Sequence, residues 1–445
     1  MGVPKSLRTK ASRWLIFRTA RSIVGPRGRW GGRAWLKRSE VSNVHALRLD
    51  IAIKLAVAFL LLVVGGACSC AYAANVATKA PAGGFDTKAK HAILMNVDAD
   101  LIFYEKDADA LIPPASMSKL MTLAVVFREL KAGHIKLDDQ FKVSEHAWRT
   151  GGAPSGGSAM FAPLNSTVSV EDLIQGVSVQ SGNDACIILA EGVSGSEDAF
   201  VKEMNKYAKE IGLTKSHFEN STGLPADGHV MTARELALLA DYLIKNYPEY
   251  YHYFGEKEFD YGKWKFTNRN PLVFEQDLGV DGLKTGFIED AGYGLVASAF
   301  RDNQRVILVV SGLNTKKERE EEPRKLLEWG FKSFKPYRLF DQGEKVSDAL
   351  VWGGTRHYVP LVGNSNIDII LPTNTSGQVK AQIVYDGPIK APIRKGDQVA
   401  TLRVTATDTQ ATNNIPLYAG EDISQSNFAM RGLDSLLVLA FGWLL

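Results

Sequence analysis

Three short motifs supply the side chains that acyl transfer on a serine requires. The residues are, in chain order, Ser116 and Lys119 of an SxxK motif, Ser181 and Asn183 of an SxN motif, and Lys284, Thr285 and Gly286 of a KTG motif. Each motif occurs once in the chain. One motif of this length is weak support for a catalytic site, but three in this order predict one.

The SxxK motif pairs a serine with a lysine one helical turn later. A serine hydroxyl is a poor nucleophile at neutral pH, so it needs a base within hydrogen-bonding reach. The spacing of Ser116 and Lys119 places both side chains on one face of a helix. Burial near a second cation, Lys284, would lower the pKa of Lys119 toward the neutral form that can accept a proton. In isolation the motif is more often an N-cap serine followed by a solvated lysine.

The other two motifs could relay protons and bind a substrate. Ser181 could carry a proton between the base and a leaving amine, and Asn183 could hold a substrate amide. Lys284 and Thr285 could bind a carboxylate, while Gly286 would let the substrate backbone come close to a strand. Taken alone, SGN is an ordinary turn and KTG is an edge strand with a solvated lysine.

The sequence around these motifs mixes strand and helix patterns. Strands are predicted at 91–97, 101–105, 283–286, 293–300 and 305–313, the first two as a hairpin and the last three as an antiparallel meander with a turn at 302–303. Helices are predicted from about 116 to 132 and near 320–331, and N-caps at Ser169, Ser196 and Thr232. After residue 340 only short strand patterns remain, which predicts a catalytic domain at 85–340 and an all-β domain at 341–422.

The N-terminal region predicts export. The first 73 residues contain 13 of the 52 Lys and Arg but only 2 of the 49 Asp and Glu, so the rest of the chain has 39 basic and 47 acidic groups. This acidic balance gives no reason to expect a nucleic-acid partner. The apolar run 55–67, followed by small residues before 74, predicts a signal peptide within a basic extension at 1–73, because a spanning helix needs about 20 residues. Cleavage would leave Cys186 as the one cysteine, which is expected in the core.

The C-terminal segment 424–445 predicts a helix that lies on a membrane. Apolar side chains recur at helical spacing over the last 14 residues, which span about 21 Å as a helix. That length is shorter than the bilayer core of about 30 Å, so the helix is expected in the interface. A terminal helix packed on the protein body would show the same pattern.

The residues around the motifs resemble the serine D-alanyl-D-alanine carboxypeptidases, the low-molecular-mass penicillin-binding proteins. The similarity rests on the sequences SMSK at 116–119, SGNDA at 181–185 and DGLKTG at 281–286, and includes 222–224, 291–293 and 326–331. It implies an α/β (α+β) domain of the serine β-lactamase and DD-peptidase type, in which helices flank a central antiparallel sheet. A small all-β domain and a terminal amphipathic helix of the membrane-anchored type would follow.

The resemblance also implies an activity. The enzyme would remove the last D-alanine from the peptidoglycan pentapeptide through an acyl-enzyme on Ser116, and β-lactams would inhibit it covalently. The implied oxyanion hole is formed by the backbone N–H groups of Ser116 and Phe287, and Arg319 would help to bind the substrate carboxylate. No metal or other cofactor is implied. The expected location is the periplasmic face of the bacterial inner membrane.

Two alternatives share parts of this pattern. A class A β-lactamase has the same three motifs but also needs a Glu and an Asn four residues later to activate the deacylating water, and here Glu219 and Asn220 are adjacent. A catalytically inactive penicillin-binding cell-wall adaptor is the other alternative, and the intact set of chemical groups argues against it. The sequence contains neither an HxxxH motif nor the paired cysteines of a zinc site, so it does not indicate a metal hydrolase.

Overall fold

The computed structural model describes residues 85–97, 99, 101–373, 379–406, 412–428, 430–432 and 435. The predicted basic extension and signal peptide lie outside these ranges. Most of the predicted terminal helix also lies outside them, although residues 428, 430–432 and 435 are described and helical. Within the described ranges, no helix combines the length and the hydropathy needed to cross a bilayer.

Helices and strands are mixed up to residue 333, and strands follow from 334 to 419. The helices are α1 (Lys119–Lys131), α2 (Val170–Gln175), α3 (Asn183–Ser194), α4 (Glu197–Glu210), α5 (Ala233–Asn246), α6 (Pro248–Tyr251) and α7 (Lys316–Ser333). The strands of the first part are β1 (His91–Asn96), β2 (Leu101–Lys106), β3 (Gln140–Lys142), β4 (Thr167–Ser169), β5 (Glu258–Tyr261), β6 (Trp264–Thr267), β7 (Val280–Ile288), β8 (Gly292–Arg301) and β9 (Gln304–Leu313). The later strands are β10 (Phe334–Phe340), β11 (Lys345–Trp352), β12 (Tyr358–Val362), β13 (Ile367–Pro372), β14 (Val379–Val384), β15 (Ile389–Lys390), β16 (Gln398–Ala406) and β17 (Thr412–Ala419).

A five-stranded antiparallel sheet in the order β2-β1-β9-β8-β7 forms the centre of the first part. Strands β1 and β2 are the predicted hairpin, and β7 to β9 are the predicted meander. Asp302 and Asn303 have positive φ in the turn between β8 and β9, a conformation that Asp and Asn tolerate. Strand β7 carries the KTG motif at one edge of this sheet, where a substrate could approach it.

Both faces of the central sheet are covered, and the middle strand β9 is accordingly apolar on both of its faces. Ile307 and Val309 of β9 face the core formed with helices α1 to α5. Leu308 and Val310 face the opposite side, where they pack with α7 and residues of the later strands. The predicted α+β architecture, with helices flanking an antiparallel sheet, is confirmed.

The predicted helix caps are present. Ser169, Ser196 and Thr232 each accept a hydrogen bond from the backbone N–H three residues later, at the starts of α2, α4 and α5. Such caps satisfy one of the otherwise unpaired N–H groups at a helix start.

Two helices begin at other residues than the sequence predicted. The α-helix α1 begins at Lys119 rather than near Ser116, because Ala115–Ser118 wind as a tighter 3-10 helix. Helix α7 begins at Lys316 rather than near residue 320, because Thr315 caps it by accepting from the N–H of Glu318 at 3.0 Å.

The later strands form the predicted all-β domain. Six of them pair in the order β14-β16-β17-β12-β11-β15, and β10 pairs with β13. Strand β10 precedes the predicted division at residue 340 but pairs with a strand that follows it. Phe334 of β10 also stacks on Phe103 of β2, with ring centroids 4.0 Å apart, so the two parts share one apolar core.

We expect Thr315→Ala to lower the free energy of unfolding by about 1 kcal/mol, because the first turn of α7 loses its cap. Thr315 is exposed, so the change removes little packing. Urea unfolding followed by circular dichroism should show a lower midpoint at an unchanged slope. Thr315→Ser keeps the acceptor oxygen and should behave like the wild type; equal destabilisation by both variants would contradict the capping role.

Candidate active site

Ser116 lies on a short strained turn before α1. The 3-10 helix Ala115–Ser118 has three residues per turn, so the side chains of Ser116 and Lys119 lie above one another. Lys119 Nζ is 2.9 Å from Ser116 Oγ. The preceding Ala115 has a φ of 50°, in the left-handed region that is costly for residues with a Cβ. The SxxK motif therefore brings its two side chains together through a tighter helix than expected.

Lys119 is fully buried and has three oxygen neighbours. Besides Ser116 Oγ, its Nζ is 2.8 Å from Asn183 Oδ1 and in contact with the backbone oxygen of Thr222. The last two are carbonyl oxygens, which only accept hydrogen bonds. A neutral amine has two N–H groups and one lone pair, so it can donate to both carbonyls and accept from the Ser116 hydroxyl. The three contacts therefore suit the uncharged form of Lys119, which is the form that can act as a base.

The electrostatic surroundings favour this neutral form. Burial lowers the pKa of Lys119 from its usual 10.5 to about 8, and the positive charge of Arg269 acts in the same direction, while Cys186 and Asp184 oppose it. The sequence predicted that Lys284 would be the cation that lowers the pKa of Lys119. The repulsion between the two amines instead lowers the pKa of Lys284. That pKa lies well below the usual value, first because of burial and then because of Lys119 and nearby arginines.

Ser181 lies beside Lys284 at the start of α3. Lys284 Nζ is 2.8 Å from Ser181 Oγ and 3.3 Å from the backbone oxygen of Thr285. Ser181 has φ 65° and ψ 32°, a second left-handed conformation, and Gly182 then forms the N-cap of α3. The SGN motif thus lies at a helix start, as predicted. The hydrogen bond between Ser181 and Lys284 joins it to the KTG strand.

A group of cations without ion-paired carboxylates lies near Lys284. Arg269 and Arg319 both lower the pKa of Lys284, which places them within its electrostatic reach. In the part of the chain that the structure describes, no carboxylate forms an ion pair with Lys119, Lys284 or either of these arginines. Because cations in proteins are usually paired when they are partly buried, this cluster is suited to an anionic ligand.

Gly286 of the KTG motif packs against the nucleophile turn. A Cβ atom at this position would lie 3.1 Å from the Pro114 backbone oxygen and 3.1 Å from Met117 Cγ. The sequence suggested that a glycine here admits the substrate backbone. The structure gives an additional reason, because a side chain would push strand β7 away from the turn that holds Ser116.

Phe287 and Arg319 both contact the ring of Tyr293. The Phe287 and Tyr293 rings stack with centroids 4.2 Å apart, and Phe287 remains 47% exposed. The Arg319 guanidinium is 5.5 Å from the centroid of the Tyr293 ring. Arg319 Nε is buried and has no hydrogen-bond partner among the described residues. An unpaired buried donor is unusual, so Arg319 retains a donor that a ligand could use.

Thr222 and Arg269 contribute to the site although the sequence motifs do not predict it. The turn that presents the Thr222 oxygen is fixed by Asn220, whose Oδ1 accepts from the N–H of Thr222 at 3.1 Å and of Gly223 at 2.7 Å. The TGL sequence at 222–224 belongs to the family resemblance. Its glycine is the one local feature of the sequence that indicates a tight turn there. Arg269 lies on a loop after β6, and no local pattern distinguishes it from a solvated arginine.

The assembled geometry can carry out acyl transfer on an anionic substrate. It contains a serine hydroxyl beside a neutral amine, a second serine beside a second amine, and a cluster of cations for a carboxylate. These are the groups that covalent catalysis by a serine requires.

Comparison with known proteins identifies relatives over most of the chain. Residues 74–315 match the family model described as D-alanyl-D-alanine carboxypeptidase, and residues 334–425 match the model of the C-terminal domain of penicillin-binding protein 5. The chain is 38% identical to D-alanyl-D-alanine carboxypeptidase DacC of Escherichia coli over 84% of its own length and 92% of that protein. It is 35% identical to DacA of the same species, over 83% and 92% of the two chains.

Solved structures give the same result. Penicillin-binding protein 5 from Haemophilus influenzae is 36% identical, with a TM-score of 0.68 over 77% of this chain and 99% of that one. Penicillin-binding protein 6B from Escherichia coli is 32% identical, with a TM-score of 0.61 over 76% and 99% of the two chains.

We expect Gly223→Ala to damage the site. Gly223 has a φ of 76°, and a Cβ there would lie 2.1 Å from the Ala115 oxygen and 2.5 Å from Ser118 Oγ. The clash would move the 222–224 turn away from Lys119. Misplacement on this scale should slow acylation of Ser116 by a fluorescent penicillin about 100-fold, as measured by gel fluorescence.

Gly212→Ala is the matched control for this change. Gly212 also has a positive φ, of 87°, but nothing lies within 4 Å of its Cβ position. Both variants should lose about 1 kcal/mol of stability through backbone strain, and Gly223→Ala should lose more because of its clashes. Only Gly223→Ala should lose acylation; equal rates in the two variants would refute the role of the turn.

Proposed function

The chain belongs to the D-alanyl-D-alanine carboxypeptidase family, and from this premise we propose how its residues act. It is a serine-type carboxypeptidase that removes the terminal D-alanine from peptidoglycan pentapeptide stems. The proposed mechanism is carried by one observation, the 2.9 Å contact between the buried Nζ of Lys119 and Ser116 Oγ.

Acylation begins when neutral Lys119 takes the proton of the Ser116 hydroxyl. Ser116 Oγ then bonds to the carbonyl carbon of the penultimate D-alanine, and the carbonyl oxygen becomes negative. The backbone N–H groups of Ser116 and Phe287 stabilise this oxyanion. When the peptide C–N bond breaks, Ser181 passes the proton from Lys119 to the leaving amine, and free D-alanine departs. Water then hydrolyses the ester on Ser116.

The substrate is held at both sides of the scissile bond. Its terminal carboxylate is bound by Lys284, Thr285 and Arg319, and Arg269 adds to the positive potential there. Asn183 contacts Lys119 through Oδ1, so its Nδ2 group is left to donate to an amide carbonyl of the peptide stem. These contacts select a peptide with a free carboxyl terminus.

β-Lactams would acylate the same serine, and the resulting ester would be released slowly. A class A β-lactamase needs a carboxylate that activates water at the ester. Glu219, the residue considered for this role, is 41% exposed and lies 2.8 Å from His217 through Oε1. An inactive adaptor is also not favoured, because the nucleophile and the base are in contact.

We also propose that the protein is exported and held at the periplasmic face of the inner membrane by its C-terminal segment. The short apolar run and the small residues before 74 support export. The amphipathic pattern of the last residues supports attachment to the membrane surface rather than a span.

Replacing Ser116 with alanine should abolish both activities of the site. D-Alanine release from a pentapeptide should fall by about 10⁴-fold or more, and labelled penicillin should no longer attach. Peptide mapping by mass spectrometry should find the label of the wild type on Ser116. Ser118→Ala removes a hydroxyl from the same turn, one that donates to the Ala115 oxygen, and should keep the label. A label on any other residue would refute the assignment.

The acylation rate should rise with pH. Burial destabilises the ammonium form of Lys119, so its pKa is about 8, and below that pH the added proton occupies the lone pair. The rate constant for penicillin acylation should therefore increase about tenfold per unit from about pH 6 and level off above pH 8. Stopped-flow measurement would show this profile.

Lys119→Arg is the control for the pH profile. Arginine keeps a positive charge but does not release its proton in this range. Its acylation rate should fall by about 10³-fold and should not recover with pH. A wild-type rate that stays level from about pH 6 to 9 would exclude Lys119 as the base.

Removal of residues 433–445 should release the protein from membranes and leave D-alanine release unchanged. The truncation begins at 433 because residues 424 and 426 are bonded to the β domain. Thr355 N–H donates to the Ser424 oxygen at 2.9 Å, and Ser426 N–H donates to the Gly353 oxygen at 2.8 Å. Sedimentation of membrane fractions measures the effect, and a truncated protein that still sediments would disprove the anchor.

A further inference from the structure

Four aromatic side chains line a groove that the proposed mechanism does not use. They are Trp148, Phe161, Tyr261 and Trp264, and they enclose a volume of about 690 Å³. We call this feature the aromatic groove. A volume of this size is in the range of ligand sites, and a lining of apolar and aromatic side chains is typical of them.

One wall of the aromatic groove is the hairpin formed by β5 and β6. Tyr261 and Trp264 are cross-strand partners on either side of the two-residue turn Gly262-Lys263. The next pair on the same face, Phe259 and Phe266, is buried. The aromatic face therefore continues outward from the core, and its outer pair is left for a ligand, with Trp264 40% exposed.

The other wall is the loop that carries Phe161. Its ring packs on Trp264 with centroids 4.6 Å apart. Phe161 has a φ of 64°, and its neighbours Met160 and Ala162 are buried while the Phe161 side chain is only half-buried. The left-handed backbone thus places the Phe161 ring against the hairpin, half-buried at the surface, at a cost that the folded structure must offset.

Both walls are attached to the SGN motif of the catalytic cluster. The Asp184 carboxylate accepts from the N–H groups of Met160 at 2.9 Å and Ala162 at 3.2 Å, and Asn183 N–H donates to the Ser158 oxygen at 2.7 Å. The hairpin packs on residues 176–180, which lead directly into Ser181. Both walls of the aromatic groove are therefore held by residues next to Ser181 and Asn183, the side of the site where the peptide stem would lie.

We propose that the aromatic groove is a saccharide subsite that binds the N-acetylated glycan strand of peptidoglycan. The proposal rests on the proposed function, because the glycan is the carrier of the peptide stem. The C–H bonds on one face of a pyranose ring are slightly positive, and they stack on the negative faces of aromatic rings. Indole and phenol rings of Trp264 and Tyr261 present such faces beside polar N–H and O–H groups.

The charge of the groove favours a sugar over a peptide segment rich in carboxylates. Lys263 is the one charged side chain that lines it, and it lies 5.2 Å from the centroid of the Trp264 ring. A single exposed lysine in contact with an aromatic ring leaves a lining that is mostly neutral. A neutral ligand with apolar faces and hydroxyl groups matches this lining.

The test compares D-alanine release from two substrates. One is the free pentapeptide, and the other is the same pentapeptide attached to its N-acetylated disaccharide. Trp264→Ala should lower kcat/KM for the disaccharide pentapeptide about tenfold and leave the value for the free pentapeptide unchanged. Trp264→Tyr keeps a stacking ring and should restore most of the loss.

Phe274→Ala is the matched control. Phe274 is also an exposed aromatic residue, 41% accessible, with a lysine amine 5.9 Å from its ring, but it lies outside the groove. Phe274→Ala should leave kcat/KM unchanged for both substrates. Equal losses on both substrates in Trp264→Ala would mean that the groove holds peptide, and no loss on either would also overturn the proposal.

A binding measurement separates this proposal from the proposed function. Calorimetry with the pentamer of N-acetylglucosamine on the Ser116→Ala protein should detect binding that Trp264→Ala weakens about tenfold. If the wild type fails to release D-alanine from the free pentapeptide, the proposed function fails, and this measurement alone decides the subsite. If the sugar does not bind, the subsite is refuted whatever the peptidase activity.

Discussion

The contacts of one amine are the constraint on which the rest of the site depends. Lys119 is buried, and two of its three neighbours are carbonyl oxygens that must receive hydrogen bonds. If the amine were charged, its third N–H would point at the Ser116 hydroxyl and occupy the position that the serine proton needs. Burial disfavours the charged form, so the pKa falls and the neutral amine, whose lone pair is the base, becomes accessible near neutral pH. The same arrangement explains why a lysine with no carboxylate paired to it among the described residues is tolerated in a core.

Elements distant in sequence must meet for this environment to exist. The nucleophile turn packs on β7 through Gly286, and it packs on the 222–224 turn through Gly223. A Cβ would clash outright at Gly223, at 2.1 Å from the Ala115 oxygen, and at Gly286 it would force the turn at 114–117 to shift slightly. The two glycines therefore fix the distance from Ser116 to the strand on one side and to the Thr222 carbonyl on the other. The covered faces of the central sheet hold these contacts rigid, because dense packing on both sides resists small shifts.

The sequence predicted those features that depend on local spacing. The SxxK contact, the SGN helix start, the KTG strand and the three N-caps follow from periodicities of a few residues, and the structure contains all of them. Arg269 and the Thr222 oxygen could not be predicted in this way. Their importance comes from which residues they approach across the fold, and a loop arginine or a backbone carbonyl carries no local signal of that approach. The 3-10 turn at Ser116 was missed for a related reason, because SxxK spacing fits both helix types.

The distribution of backbone strain connects the catalytic cluster with the aromatic groove. Seven described residues other than glycine have positive φ, and four of them are Asp or Asn, which tolerate this region. The other three are Ala115, Phe161 and Ser181. Ala115 precedes the nucleophile, Ser181 contacts Lys284, and Phe161 forms a wall of the groove.

A residue with a Cβ remains in this conformation only where the surrounding contacts outweigh its cost. Around Ala115 and Ser181 the reason is the position of a reacting hydroxyl. Around Phe161 the backbone N–H groups of residues 160–162 all turn toward the Asp184 carboxylate, which offsets part of this cost. The same conformation leaves the Phe161 ring half-buried against Trp264, where a ligand in the aromatic groove would contact it. This is the reason to regard the groove as part of the proposed substrate site.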